Sequence, residues 1–466
     1  MNHRRSTVRL VATVAAFAVT AATCGGSDEG GSGGSIPAPT APAATDAPTS
    51  DPAPSDTTTG ATTDATTDTD PTEPATTEPV GADDPHVAFG SLEPPTGTPM
   101  VVGLSNIEGA PGLDFPDVRA AIEGGVEYLN QHGGFGGRPI VLETCIANGS
   151  PEGSQACAQE LVGKDVELVF LGVDLFADYA TYGAADVPVL GVLPILPTDY
   201  AADALFLTGG NVTVMAATAL AARDHFGATK VGIVHADNPG SNSSAASLTA
   251  ALDALGVEHA TVKGGEVETD AGFQGLMREV ASQDPDLLVS LYADAGCIGM
   301  MRARVSLAIE TPVIATGICG STEVIDQVGD DAMGWSFVGV TAKDDSPANA
   351  LLQEIMAPVL GVAPEEVDRA ALGLGALGLF LPMSTAVYAN EIAAAGDEVT
   401  GRAIHDHLRT AEGLRLWPGT SPIDCGAEPD YPSICSFTVP FAEYTEDGEL
   451  RTIEGLEALS VLGSLP

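Results

Sequence analysis

From residue 99 onward, apolar runs of strand length alternate with segments whose apolar residues recur every three or four positions. No other feature restricts the fold as tightly. "PMVVGLSN" reads as a strand, and Phe115, Val118, Ile122, Val126 and Leu129 then form one helical face. "HGGFGGRPI" breaks that helix with glycines and leads into the strand "IVLETC". A helix follows from about Pro151 to Val162, and "VELVFLGV", "DVPVLGVLP" and "ALFLTGGN" supply the third to fifth strands. A second series opens with "TKVGIVHAD", followed by Ala245, Leu248, Leu252 and Leu255 on a helical face. "DLLVSLYAD", "TPVIATGIC" and "GWSFVGV" are its further strands, separated by helices around 273–282 and 299–308. Such alternation predicts an α/β protein with parallel sheets covered by helices, and two successive series predict two lobes. Beyond Thr341 the pattern predicts helices over 347–360 and 364–395. A hairpin of "FTVPFAEY" and "ELRTI", turned at Asp447-Gly448, comes last.

The residues ahead of this region cannot build a core. Arg4, Arg5 and Arg9 precede a short Ala- and Val-rich run over residues 10–23, too short to span a bilayer, which reads as a signal peptide over 1–23. The run ends in "AATC", a lipobox-like stretch with Cys24 as the residue to be lipidated; ordinary signal cleavage is the alternative. Two acyl chains on Cys24 would hold the protein on the outer face of the cytoplasmic membrane. Residues 24–98 are Gly, Ser, Thr, Pro, Ala and Asp with almost nothing to bury, as in "TDAPTSDPAPSDTTTGATTDATTDTD". That composition predicts a disordered tether.

The chain has 18 Lys and Arg against 64 Asp and Glu, a formal net charge of −46. A field of that sign repels nucleic acid and anionic lipid and favours cationic or neutral ligands at long range. Apart from Cys24, six cysteines remain, which allow 15 pairings. Their spacing groups them as Cys145 with Cys157, Cys297 with Cys319, and Cys425 with Cys435. Each disulfide would be worth on the order of 3 kcal/mol. A metal site is the rival reading, but no CxxC occurs and no His lies near these couples.

Motifs for chemistry are sparse. "GLGALG" at Gly373 to Gly378 matches GxGxxG, yet no strand precedes it and Leu374, Leu377, Leu379 and Phe380 continue an apolar helix, so close helix packing is expected. "GGFGG" follows a helix and reads as a turn. "HDH" at His405 to His407 sets two His two residues apart, where they diverge on a helix. His235, in "VGIVHAD", alternates with buried positions. HExxH, GxSxG and GxxxxGK[ST] do not occur, and neither an enzyme nor a cofactor is expected. What remains is the set of residues just past strand ends, where two facing lobes would form a cleft. These are Ser105, Asn106, Asp174, Leu175, Leu193 and Pro194 from the first series. The second contributes Asp237, Asn238, Tyr292, Asp294, Thr316 and Gly317. Each is also an ordinary cap or turn position. Tyr292 and Asp294 together suit an ammonium group.

Several segments carry a family resemblance over residues 99 to about 460. They are "VVGLSNIEGAPGLDFPDVRAAIEGGVEYLNQHGGFGGRPIVLETC", "GATKVGIVHADNPG", "TDAGFQGLMREVASQDPDLLVSLYADAG" and "TPVIATGICGSTEVIDQVGDDAMGW". The chain resembles the type I periplasmic binding proteins, in the branch that serves branched-chain amino acid ABC transporters. The resemblance implies two Rossmann-like lobes joined by three crossings and closing on a ligand. It divides the chain into a first lobe over 99–213, a second over 214–341, a return to the first over 342–430, and a C-terminal region over 431–466 mostly in the second. It further implies capture of a small polar molecule (an amino acid, an amine or a related metabolite) for ABC permease subunits. A ligand-binding sensor for a signalling partner is the alternative. Family members that bind amino acids place hydroxyls after the third and fourth strands to grip the ligand carboxylate. The matching positions here read Val173-Asp174-Leu175 and Leu193-Pro194-Ile195, and Pro239-Gly240 stands where the family often has Tyr-Gly. The expected preference is therefore for amines or neutral polar compounds over aliphatic amino acids.

Overall fold

The computed structural model describes residues 93–110, 113–340, 347–367, 375–410, 412–414 and 423–465. The signal, Cys24 and nearly all of the tether lie outside the described residues. The first series comprises β1 (Met100–Ile107), α1 (Pro116–Gln131), β2 (Ile140–Ala147), α2 (Pro151–Val162), β3 (Leu168–Leu171), α3 (Tyr179–Ala184), β4 (Val189–Gly191), α4 (Pro197–Tyr200) and β5 (Ala204–Phe206). Its strands form one parallel sheet in the order β2-β1-β3-β4-β5. β3 and β4 are buried along their whole length, which explains their unbroken apolar runs, since a parallel sheet is covered on both faces.

The second series comprises α5 (Gly210–Asp224), β6 (Lys230–Ala236), α6 (Pro239–Leu255), β7 (Glu258–Gly264), α7 (Asp270–Ala281), β8 (Leu287–Leu291), α8 (Asp294–Ser306), β9 (Val313–Thr316), α9 (Thr322–Val328) and β10 (Trp335–Val338). The strands β7-β6-β8-β9-β10 are parallel neighbours. β7 is an edge strand with only Val262 buried. The helix α5 packs into the second core through Val212, Met215 and Leu220, so the chain leaves the first core at Leu207 and enters the second at Val212. The crossing is tight. Gly210 adopts φ +61°, and a Cβ there would stand 1.8 Å from the Pro194 carbonyl oxygen.

The remaining elements are α10 (Pro347–Leu360), α11 (Gly375–Gly378), α12 (Phe380–Ala395), α13 (Gly401–Leu408), β11 (Glu412–Leu414), β12 (Ile423–Asp424), β13 (Thr438–Val439), β14 (Phe441–Tyr444), β15 (Leu450–Thr452) and β16 (Leu459–Ser460). Leu352, Ile355, Leu381, Met383 and Ile404 join the first lobe's core beside Val118 and Ile122. The helical stretch expected over 364–395 is broken: Pro364–Glu366 is a 3-10 turn, and α11 and α12 are separate helices. The described part of "GLGALG" is α11, laid so close on α1 that a Cβ on Gly378 would stand 2.6 Å from the Val118 carbonyl oxygen. The hairpin of β14 and β15 is present and extends the second sheet antiparallel to β10. The run "FTVPFAEY" is not one strand, however. Pro440, which has no N–H to donate to a ladder, separates β14 from β13, and β13 pairs with β16 instead.

Three disulfides are formed. Cys145–Cys157 ties β2 to α2, and Cys297–Cys319 ties α8 to the 3-10 turn after β9. Cys425–Cys435 closes a loop where the chain passes between lobes. Ile434 pairs there with Phe206 of β5 while its side chain packs in the second core.

Candidate functional site

In open α/β sheets ligands sit beyond the carboxyl ends of the strands, near the point where strand order reverses. Both sheets reverse in the same way: β1 lies between β2 and β3, and β6 lies between β7 and β8. The two sets of strand ends open on a shared cavity of about 290 Å³, at the lower end of the roughly 300–1,000 Å³ usual for small-molecule sites. Its walls are unlike. The first lobe contributes Leu113, Phe115, Leu175, Leu193, Ile195, Ala376 and Leu377, all apolar. Every polar lining side chain comes from the second lobe: Asn211, Asn238, Ser241, Ser244, Glu266, Tyr292 and Thr316.

The apolar wall is held from behind by buried polar groups. Asp174 is 5% exposed, and its carboxylate accepts from the Ser105 hydroxyl at 2.9 Å, the Ser154 hydroxyl at 2.6 Å and the Phe176 N–H at 3.0 Å. These bonds join the end of β1, the start of α2 and the loop after β3. Asn106 accepts from the Val173 N–H at 3.0 Å and donates to the Phe115 carbonyl at 2.8 Å. After β4, Asp199 takes the N–H groups of Ile195 and Leu196 at 2.7 and 2.8 Å and the Tyr179 hydroxyl at 2.8 Å. Burial pushes the Asp199 carboxyl up, against the pull of those donors. With the polar atoms engaged inward, Leu175, Leu193 and Ile195 are what the loops present to the cavity.

In the second wall, Asn238 caps α6 by accepting from the Ser241 N–H at 2.8 Å, ahead of Pro239 at the first helical position. Thr316 donates to the Tyr292 carbonyl at 2.8 Å. Tyr292 is 2% exposed, and its hydroxyl is buried without a hydrogen-bond partner. Burial, then the Glu268 carboxylate, pushes that hydroxyl up to about 12, so it keeps its proton at neutral pH. Glu266 is half-buried, on the loop after β7, with the Asn238 side-chain amide 3.4 Å away. Among the described residues it is the one carboxylate that lines the cavity, and no Lys, Arg or His lines it.

Of the candidates from sequence, Leu175, Leu193, Asn238, Tyr292 and Thr316 meet at the cavity, with Gly317 beside them. Ser105, Asn106 and Asp174 lie behind the apolar wall. Pro194 turns its carbonyl to the Asn211 N–H at 3.1 Å and does not line the cavity. Asp237 is exposed; it accepts from Asn242 at 3.1 Å and Lys263 at 3.0 Å, and these two hold its carboxyl below the usual range. Asp294 opens α8, and its side chain lies outside those described. Glu266 and Asn211 were not foreseen. The signal for Glu266 was "EHATVKG", an edge strand whose polar residues mask its alternation. Among the described residues, no His, Cys, Asp and Glu group could hold a metal, and no helix is long and apolar enough to cross a membrane. His405 is buried, and His407 bonds Glu391 at 2.8 Å.

The fold has many solved counterparts. An ABC transporter substrate-binding protein from Sphaerobacter thermophilus is similar over 79% of this chain and 99% of its own, at TM-score 0.63 and 18% identity. A leucine-binding protein from Thermotoga maritima matches at TM-score 0.60 and 16% identity, over 78% and 99% of the two chains. The branched-chain amino acid transporter substrate-binding protein of Streptococcus pneumoniae, solved with isoleucine, matches at TM-score 0.59 and 14% identity, over 76% and 99%. At such identities the likeness shows the fold, which is that of the type I periplasmic binding proteins. No curated protein sequence matches the chain. The model of the family described as "Periplasmic binding protein" matches residues 101–425, most of the folded chain. The chain therefore belongs to the periplasmic binding protein family, whose members are extracytoplasmic ligand-binding proteins and not enzymes.

Proposed function

We propose that the protein is the solute-binding component of an ABC importer, capturing one small molecule between its lobes and presenting the closed form to the permease subunits. The observation that carries this reading is the cavity at the carboxyl ends of both sheets, lined from both lobes. A ligand that touches both walls binds the closed arrangement better than the open one, and that difference in affinity drives closure. Leu175, Leu193, Asn238, Tyr292 and Thr316, joined by Glu266, are the contacts proposed for the solute. Ser105, Asn106 and Asp174 support the wall instead. Lipidation at Cys24 would hold the protein on the outer membrane face, with residues 24–98 giving reach to the permease.

Native mass spectrometry of the protein purified from its own cell envelope tests the reading. The expected result is one retained small molecule, released unaltered on unfolding. Ligand at about 100 times Kd should add about 2.7 kcal/mol of stability. Leu193→Trp, which fills the cavity, should abolish retention while the far-UV spectrum stays unchanged. Undiminished retention in that variant, or release of a chemically converted product, would contradict the proposal.

A further inference from the structure

The cavity has an asymmetry of charge as well as of polarity. Glu266 has no basic partner among the described residues, only the Asn238 amide at 3.4 Å. The Tyr292 hydroxyl is the second group left open. It is buried and unpartnered, and a Cβ on Gly264, two residues before Glu266, would stand 2.8 Å from it. A carboxylate without a basic partner and a buried tyrosine, both on the second lobe's wall of the cavity, make a site for a cation.

A ligand carboxylate finds little to hold it. No basic side chain lines the cavity among the described residues. Three long helices, α5, α6 and α8, begin at the cavity, and a helix start ordinarily offers free N–H groups to an anion. At α5 and α6 several of those donors are spent within the chain. The Asn211 N–H bonds the Pro194 carbonyl, and the Val212 N–H bonds the Tyr200 hydroxyl. Ser241 and Asn242 donate their N–H groups to Asn238. The opposite wall is apolar throughout, and the chain's net charge of −46 draws cations and repels anions at long range.

We infer that the captured solute is an organic cation, with an ammonium group at Glu266 beside Tyr292, an apolar body against Leu175, Leu193 and Ile195, and no carboxylate. This rests on the binding role proposed above and names the class of its ligand.

The test is calorimetric titration of the purified protein with a matched set sharing one branched body: isoamylamine, leucine, isocaproate and isocaproamide. Primary alkylamines from butyl to octyl extend the amine arm. The amine arm should bind at least about tenfold more tightly than its zwitterionic, anionic and neutral matches. Glu266→Gln should weaken the amine by at least about tenfold and the amide by much less, and the amine's affinity should fall with added salt. Tighter binding of leucine or isocaproate, parity of the amide with the amine, or an amine affinity indifferent to Glu266→Gln would each overturn the inference. If no member of the set binds, the cation assignment fails. The binding role is then decided by the compound retained in native mass spectrometry.

Discussion

The two walls of the cavity handle acidic residues in opposite ways. In the first lobe, Asp174 and Asp199 turn inward and are consumed by hydroxyls and backbone N–H groups, leaving an apolar face. In the second, Glu266 stands on the loop after an edge strand, with no basic partner among the described residues. A buried carboxylate must be fully hydrogen-bonded to be tolerated, whereas a half-buried one at a cavity is free to meet a ligand. The difference separates scaffold from recognition. A position just past a strand end is not enough to tell them apart; the number of donors around the carboxylate is.

The largest effect should come from breaking the inward network. Asp174→Ala strands the Ser105 and Ser154 hydroxyls and the Phe176 N–H, and should cost about 3 kcal/mol in urea unfolding. Loss of ligand binding at unchanged stability would move Asp174 from scaffold to ligand contact and collapse the comparison. Asp199→Asn keeps one oxygen as an acceptor, so its cost should be smaller, about 1–2 kcal/mol by the same measurement.

A third, pH-dependent effect belongs to the first lobe. His405 is buried with its Nε2 unpartnered, and burial lowers its pKa below the usual 6.5, partly offset by Asp406. The depressed folded value means this contribution to stability is complete above pH 6.5 and is lost as pH falls through the folded pKa. Urea midpoints of the wild type should therefore decline on acidification by more than those of His405→Leu. Equal slopes would show that His405 does not titrate in this way. The smallest effect on stability is expected for Glu266→Gln, within about 0.5 kcal/mol, although its effect on cation binding should be the greatest of the set. A marked fall in its melting temperature would mean that Glu266 is scaffold too.

Much of this was legible in the sequence, and the rest was hidden for identifiable reasons. The fully buried strands announced themselves as apolar runs, and the exported chain's cysteine spacing gave the three pairs found. β7 was missed because an edge strand buries little: only Val262 of its seven residues is buried, so "EHATVKG" carries no clear period. Glu266 went with it. Asp174 drew attention for the right position, but its partners Ser105 and Ser154 lie 69 and 20 residues away, and no local pattern could show that they fill its acceptor sites.

The proposed ligand is a small cation captured between an apolar wall and Glu266. A crystal structure of the protein with the tightest-binding alkylamine tests it most directly. The ammonium is expected within hydrogen-bonding distance of the Glu266 carboxylate, with the carbon body against Leu175, Leu193 and Ile195. A ligand seated at Asp174, or one lying outside the cavity with Glu266 still unpaired, would contradict it.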